Sequence, residues 1–180
     1  MTASRSQDPA HHGAPCRLAA TRCDGGYGLF AAADVPTGAV VLYLDGEVVE
    51  QPSQRSVQIG VGRHVDIPRA EQLGGDGGPD DRARDERAER YLWHFLNHSC
   101  APNTALRGRA LVSTRPIQAG EPVRFDYETS EWDMAAPFAC RCGAPACRGT
   151  VRGFRHLDEA DRRALAPRAS AHVLTLASAG

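Results

Sequence analysis

Four cysteines constrain this chain more than any other feature. Cys100 closes the run Asn97-His98-Ser99-Cys100, and Cys140, Cys142 and Cys147 follow in the spacing C-x-C-x4-C. Structural zinc sites take four thiolates in a closed tetrahedron, so three clustered thiols and one remote thiol predict Zn2+ bound by these four residues. Such a centre pins the C-terminal segment against a polar turn roughly forty residues upstream. A chain that folds its tail over a polar turn builds a site there. Cys16 and Cys23 have no His or Cys partner at ligand spacing and are expected to be small core thiols.

Composition narrows the class of function. A length of 180 residues sets one domain with at most a small appendage, and 42% hydrophobic content suffices for a core. A net charge of -1 carries no direct nucleic-acid signature. No apolar run reaches the ~18 residues a membrane helix needs. Residues 1–14 are polar, include Asp8, His11 and His12, and have no apolar core of a secretion signal. They predict a disordered tail on a cytoplasmic protein with no membrane partner, where metal binding is favoured over disulfides. All 21 basic residues are Arg, which with abundant Ala and Gly suggests a GC-rich, bacterial genome.

Short apolar runs broken by turn signals predict strands. Gly25–Gly28, Asp34–Gly38 and Asp45-Gly46 are the turns, and Ala39–Leu44 is a strand between two of them. Val57, Ile59 and Val61 alternate with polar or small neighbours, and Val65-Asp66-Ile67 is a further short strand. The Gly-rich stretch 74–79 predicts a flexible loop. From Asp81 the spacing predicts a helix with Ala88, Tyr91, Leu92, Phe95 and Leu96 as its apolar stripe and Glu86–Arg90 as an i,i+4 pair. That helix would run into Asn97-His98, which read alone as its C-cap. Arg109–Thr114 and Pro122–Tyr127 predict two more strands, and Asp158–Leu165 a short helix with an acidic start.

Four motifs in order then carry a resemblance. Gly26-Tyr27-Gly28-Leu29-Phe30, Phe95-Leu96-Asn97-His98-Ser99-Cys100 with Pro102-Asn103, Gly120-Glu121 to Phe125-Asp126-Tyr127, and Cys140-Arg141-Cys142-Gly143 to Cys147-Arg148-Gly149 stand in sequence. Together they resemble the SET-domain protein lysine methyltransferases with a post-SET zinc module. The resemblance implies a mostly β fold of several short sheets with a pseudoknot, few short helices and a C-terminal zinc loop. It implies a SET domain over 15–130 with a flexible insert about 71–80, a post-SET module over 138–154, and a C-terminal helix and tail over 155–180.

It further implies S-adenosylmethionine as cofactor. The turn Gly26, Tyr27, Gly28 and Leu29 would take its methionine part, since glycines let backbone approach a ligand closely. Asn97 and His98 would take its adenosine part. Phe154 is a candidate aromatic lid or a packing residue. Tyr127 is the implied catalytic residue. A lysine amine with a pKa of roughly 10.4 must be deprotonated and aligned before it can attack a methyl group, and a phenol at the channel end can orient it. Phe125 stands where the family carries Phe or Tyr, and Phe implies room for di- or trimethylation. The family often has Arg at the position of His94 and a channel Tyr within the stretch that is Ser56–Asp66 here, which has none. Tyr91 or Trp132 is the candidate substitute. The implied partner is a protein bearing a target lysine. A non-catalytic module of the same fold, and a methyltransferase of small-molecule amines, are the alternatives.

Overall fold

The computed structural model describes residues 17–23, 26–72 and 90–179. The expected tail over 1–14, Cys16, the Gly-rich loop 74–79 and the helix start at Asp81 lie outside the described residues, as does Glu86. Among the described residues the architecture is mostly β, in four small sheets. Strands β1 (Leu18–Cys23) and β2 (Gly26–Ala31) form a hairpin, with Cys23 paired to Gly26 at its tight end. The Gly26-Tyr27-Gly28 motif therefore opens a strand and does not stand as a free turn. Strands β4 (Glu47–Val49), β5 (Val57–Gly60) and β6 (Arg63–Asp66) form an antiparallel sheet in the order β4-β6-β5.

The largest sheet has the order β3-β9-β8-β10-β7, from β3 (Val40–Tyr43), β7 (Asn97–His98), β8 (Thr104–Arg107), β9 (Ala110–Ser113) and β10 (Arg124–Phe125). β8 and β9 are a hairpin turned at Gly108, whose φ of 60° favours glycine. β10 lies parallel between β7 and β8. The loop joining β7 to β8 closes over β10. Ser99 N–H donates to Phe125 O at 3.0 Å, Asn103 Oδ1 accepts from Arg124 N–H at 2.9 Å, and Thr104 Oγ1 donates to Arg124 O at 2.8 Å. This is the expected pseudoknot. Asn97 and His98 are strand residues. The helical stretch before them ends as a 3-10 turn, Leu92–Phe95, and Leu96 is already extended. Arg90 pairs with Asp45 and Glu71 across the fold.

Leu29, Val41, Leu44, Val65, Tyr91, Leu106, Leu111, Ile117, Val123 and Phe125 make one continuous core between the sheets. A second, smaller core gathers Phe154, Leu165 and Val173, with Trp132 and Leu157 against them. It is built by two helices, α1 (Glu159–Leu165) and α2 (Ala171–Ser178). α1 matches the expected helix, and the Asp158 carboxylate caps it by accepting from Asp161 N–H at 2.8 Å. The region expected to hold one helix and a tail thus holds two helices, because Val173 has an apolar groove to fill. Gly153 precedes this unit at φ 109°, where a Cβ would stand 2.7 Å from Trp132 O. The strand expected over Pro122–Tyr127 stops at Phe125, because Asp126 caps a 3-10 turn, Tyr127–Thr129. Strands β11 (Phe138–Ala139) and β12 (Thr150–Val151) pair across the cysteine loop. Among the described residues, no helix is long and apolar enough to cross a membrane.

Candidate active site and metal centre

The pseudoknot brings the motifs together. Tyr127 follows β10 directly, so its ring falls beside β7 and the end of the preceding 3-10 turn. Its hydroxyl donates to Leu96 O at 2.5 Å, and its ring centroid lies 5.3 Å from both Phe125 and His98. Burial, then the nearby Glu131 charge, push the phenol well above its ordinary pKa. It is held as a neutral phenol, with its own hydrogen committed to Leu96 and its oxygen lone pairs left to accept.

His98 is buried behind this ring. Its Nδ1 accepts from Tyr127 N–H at 3.2 Å, so the proton sits on Nε2, which donates to Cys100 Sγ at 3.3 Å. Burial, then Arg148, lower its pKa to about 4, so the imidazole is neutral and its 3.7 Å approach to Asp126 is no ion pair. One imidazole therefore spans from the Tyr127 backbone to a thiol of the cysteine cluster. Asn97, next to it, is exposed. Its Nδ2 donates to Tyr27 O at 2.9 Å and ties the Gly26–Gly28 motif to the Asn97–Cys100 motif. Tyr27 is 50% and Phe138 is 36% exposed. Tyr27 lies 5.6 Å from Phe95, and Phe138 lies 5.9 Å from His98. An edge of exposed aromatics around a polar strand suits a nucleoside, which offers flat apolar faces and hydrogen-bonding rims.

Two members of the expected cofactor set stand elsewhere. Leu29 is 1% exposed in the main core, and its carbonyl is taken by Val123 N–H. Phe154 is 1% exposed and stacks against Trp132 at 6.4 Å in the second core. It takes the packing role and offers no free face as a lid. Tyr91 is likewise buried in the main core, under the Arg90 guanidinium. Phe138 was missed by the sequence reading. Its signal was the lone aromatic two residues before the first cysteine of the cluster.

Cys100, Cys140, Cys142 and Cys147 place their sulfurs all within 4.8 Å of one another. They are free thiols, and Cys100 and Cys140 lie 3.9 Å apart. Four thiolates at ~2.3 Å from zinc stand about 3.8 Å apart in a tetrahedron, so this donor set fits the ion. Besides His98, the Arg148 N–H points at Cys100 Sγ, at 3.5 Å. Both donors offset charge on a thiolate.

Arg148 welds this cluster to the Tyr127 segment. Its Nε donates to Glu128 Oε2 at 2.7 Å and its Nη2 to Asp126 Oδ1 at 2.6 Å. Asp126 and Glu128 are 0% and 1% exposed. Glu128 Oε1 also accepts from Arg152 N–H at 3.0 Å and Gly153 N–H at 3.3 Å. Burial raises the Asp126 pKa against the pull of Arg148. Removing one partner of a buried ion pair leaves its charge uncompensated. Arg148→Ala is therefore expected to cost about 3 kcal/mol of stability, read as a lowered midpoint in urea. An unchanged midpoint would show that the pair does not hold the module in place.

The SET domain family model matches residues 26–128. The chain is 34% identical over 138 residues to the histone-lysine N-methyltransferase EHMT1 of Homo sapiens, covering 69% of this chain and 10% of that protein. It is 30% identical over 169 residues to the histone-lysine N-methyltransferase SUV39H2 of Xenopus tropicalis, covering 76% of this chain and 40% of that protein. It is also 32% identical over 68 residues to the methyltransferase flvH of Aspergillus flavus, covering 36% of this chain and 38% of that protein. The chain spans less than half the length of each of these relatives.

Proposed function

The chain belongs to the SET-domain family, and from that premise we propose that it transfers methyl groups from S-adenosylmethionine to lysine side chains of a protein. The observation that carries this reading is the setting of Tyr127, a neutral phenol fixed by Leu96 O beside Phe125 and His98. S-adenosylmethionine supplies, when bound, a methyl group on a sulfonium, open to displacement by a neutral amine. Gly26, Tyr27, Gly28, Asn97 and the backbone of His98 would hold it at the edge of exposed aromatics. Tyr127 would accept a hydrogen bond from the amine and orient it. With its pKa raised, the phenol positions the amine and does not remove its proton at neutral pH. Cys100, Cys140, Cys142 and Cys147 would hold a structural zinc ion that fixes the module over this edge.

Phe125 is 2% exposed and has no hydroxyl to hold a water beside the amine. This supports di- and trimethylation. The two relatives named as histone-lysine N-methyltransferases support a protein substrate.

The test is transfer of a radiolabelled methyl group to a panel of histones and cell lysate, with free lysine as a competing acceptor. The chain contains no Lys, so methylation of its own lysines cannot be the source of label. Label on a lysine-bearing protein, seen as mono-, di- and trimethylated peptides by mass spectrometry, is the expected result. Label on free lysine alone would turn the reading to a small-molecule amine. Binding of S-adenosylmethionine with no transfer to any acceptor would turn it to a non-catalytic module.

A further inference from the structure

The 3-10 turn that begins at Tyr127 is closed by its own backbone, Tyr127 O accepting from Ser130 N–H at 3.0 Å and from Glu131 N–H at 2.8 Å. A turn that ends leaves its last carbonyls without partners inside it. Thr129 and Ser130 are 2% and 0% exposed, so their carbonyls need donors from the protein. The C-terminal unit supplies them. Ser170 N–H donates to Thr129 O at 2.7 Å, and His172 Nε2 donates to Ser130 O at 2.7 Å. Phe154 N–H donates to Glu131 O at 2.8 Å, and Arg155 N–H to Trp132 O at 3.1 Å. Four successive carbonyls are each taken by a donor from residues 154–172. Gln58 holds the same segment from β5, its N–H donating to Glu131 Oε1 at 2.7 Å and its Oε1 accepting from Trp132 N–H at 2.8 Å.

Three of the four C-terminal donors are main-chain N–H groups, which this backbone offers whatever its side chains. The fourth is the imidazole of His172, on α2. A carbonyl can only accept, so Nε2 carries the proton. Burial lowers the pKa of the ring, which donates as a neutral imidazole at neutral pH. Ser130, which receives this bond, is the residue whose N–H donates to Tyr127 O. One hydrogen-bonded path therefore runs from α2 through Ser130 to the Tyr127 backbone, and the phenol reaches Leu96 O from that backbone. Both partners of all four C-terminal contacts lie beyond residue 128, where the family match ends.

We propose that α2 is a clamp on the segment that follows Tyr127, and that His172 is a positioning residue for methyl transfer: its hydrogen bond to Ser130 O holds the turn that aims the phenol. This rests on the methyl-transfer reading. It adds that a helix outside the matched domain belongs to the transferring unit.

His172→Asn and His172→Gln test it. A Gln amide reaches about as far as Nε2 and an Asn amide stops near Nδ1, so only Gln can still donate to Ser130 O. Both keep a polar side chain on α2. On the zinc-loaded full chain, hydrogen exchange is followed at the Ser130 and Glu131 amides, with the β8–β9 hairpin as internal reference. Methyl transfer to the histone and lysate panel is followed at varied S-adenosylmethionine. The expected result is that His172→Asn speeds exchange at both amides by about tenfold or more and lowers the maximal rate by about tenfold. The KM for S-adenosylmethionine and the reference amides should not change, and His172→Gln should restore both losses. Unchanged exchange in His172→Asn would overturn the clamp, and so would faster exchange that extends to the reference amides. Faster exchange with an unchanged rate, or a loss that His172→Gln shares in full, would overturn the positioning role. A wild type with this exchange pattern that methylates no acceptor would overturn the methyl-transfer reading and leave the clamp standing, because the exchange measurement requires no turnover.

Discussion

Chelating the metal from the four-thiolate centre is expected to destabilise the C-terminal third of the protein. Elemental analysis should find one zinc per chain. The binding free energy of such sites is on the order of 10 kcal/mol, comparable to the whole stability of a domain. The loss should spread because the cluster is not an isolated knot of loop. Cys100 receives hydrogen bonds from His98 and from Arg148, and those residues hold the Tyr127 backbone and the Asp126 and Glu128 carboxylates. The measurement is limited proteolysis beside thermal denaturation, before and after chelation, with zinc added back. New cleavage between Phe138 and Phe154 together with a lowered Tm, both reversed by zinc, is the expected pattern. A chelated protein with the same Tm and the same digestion pattern would remove zinc from this account of the fold.

Tyr127→Phe should lower kcat/KM for methyl transfer by two to four orders of magnitude while leaving the fold in place. The substitution deletes one hydrogen bond, to Leu96 O, worth about 1 kcal/mol of stability. The ring keeps its packing against Phe125 and His98. Affinity for S-adenosylmethionine should stay within about twofold, since the phenol is assigned to the amine. Steady-state kinetics and calorimetry on the same preparation check both halves. Activity within tenfold of the wild type would make Tyr127 a packing residue and move the orienting role elsewhere.

Much of the site was legible because its signals are local or come in fixed spacing. The four cysteines converge as their spacing predicts, and Tyr127 follows directly on β10 through Asp126. Asn97 does reach the Gly26–Gly28 motif, through Tyr27 O. What the sequence concealed depends on distant partners. Whether Asn97 and His98 cap a helix or form a strand is decided by β10, which pairs with them from twenty-seven positions away, Arg124 to Asn97. The fate of Phe154 depends on α2, whose Ser170 start and Val173, Leu174 and Ala177 stripe were faint signals of a helix in an uncharged run. Glu131 was invisible for a similar reason. A single Glu between Ser130 and Trp132 shows no period, and its burial goes with a hydrogen bond to Gln58, 73 positions upstream.

The enclosure of β10 between β7 and β8 also sets an order of assembly. The β8–β9 hairpin and the β1–β2 hairpin are local and can close early, on a timescale of microseconds. β10 can take its slot only after the loop 99–103 is in reach, and Cys100 finds its partners only once Cys147 has left the ribosome. A nascent chain stopped before Arg124 has every residue of the Asn97–Cys100 motif and no β10 to close against it. Synthesis therefore closes this sheet in one late step, and a product terminated before Arg124 should remain an open sheet exposed to proteases.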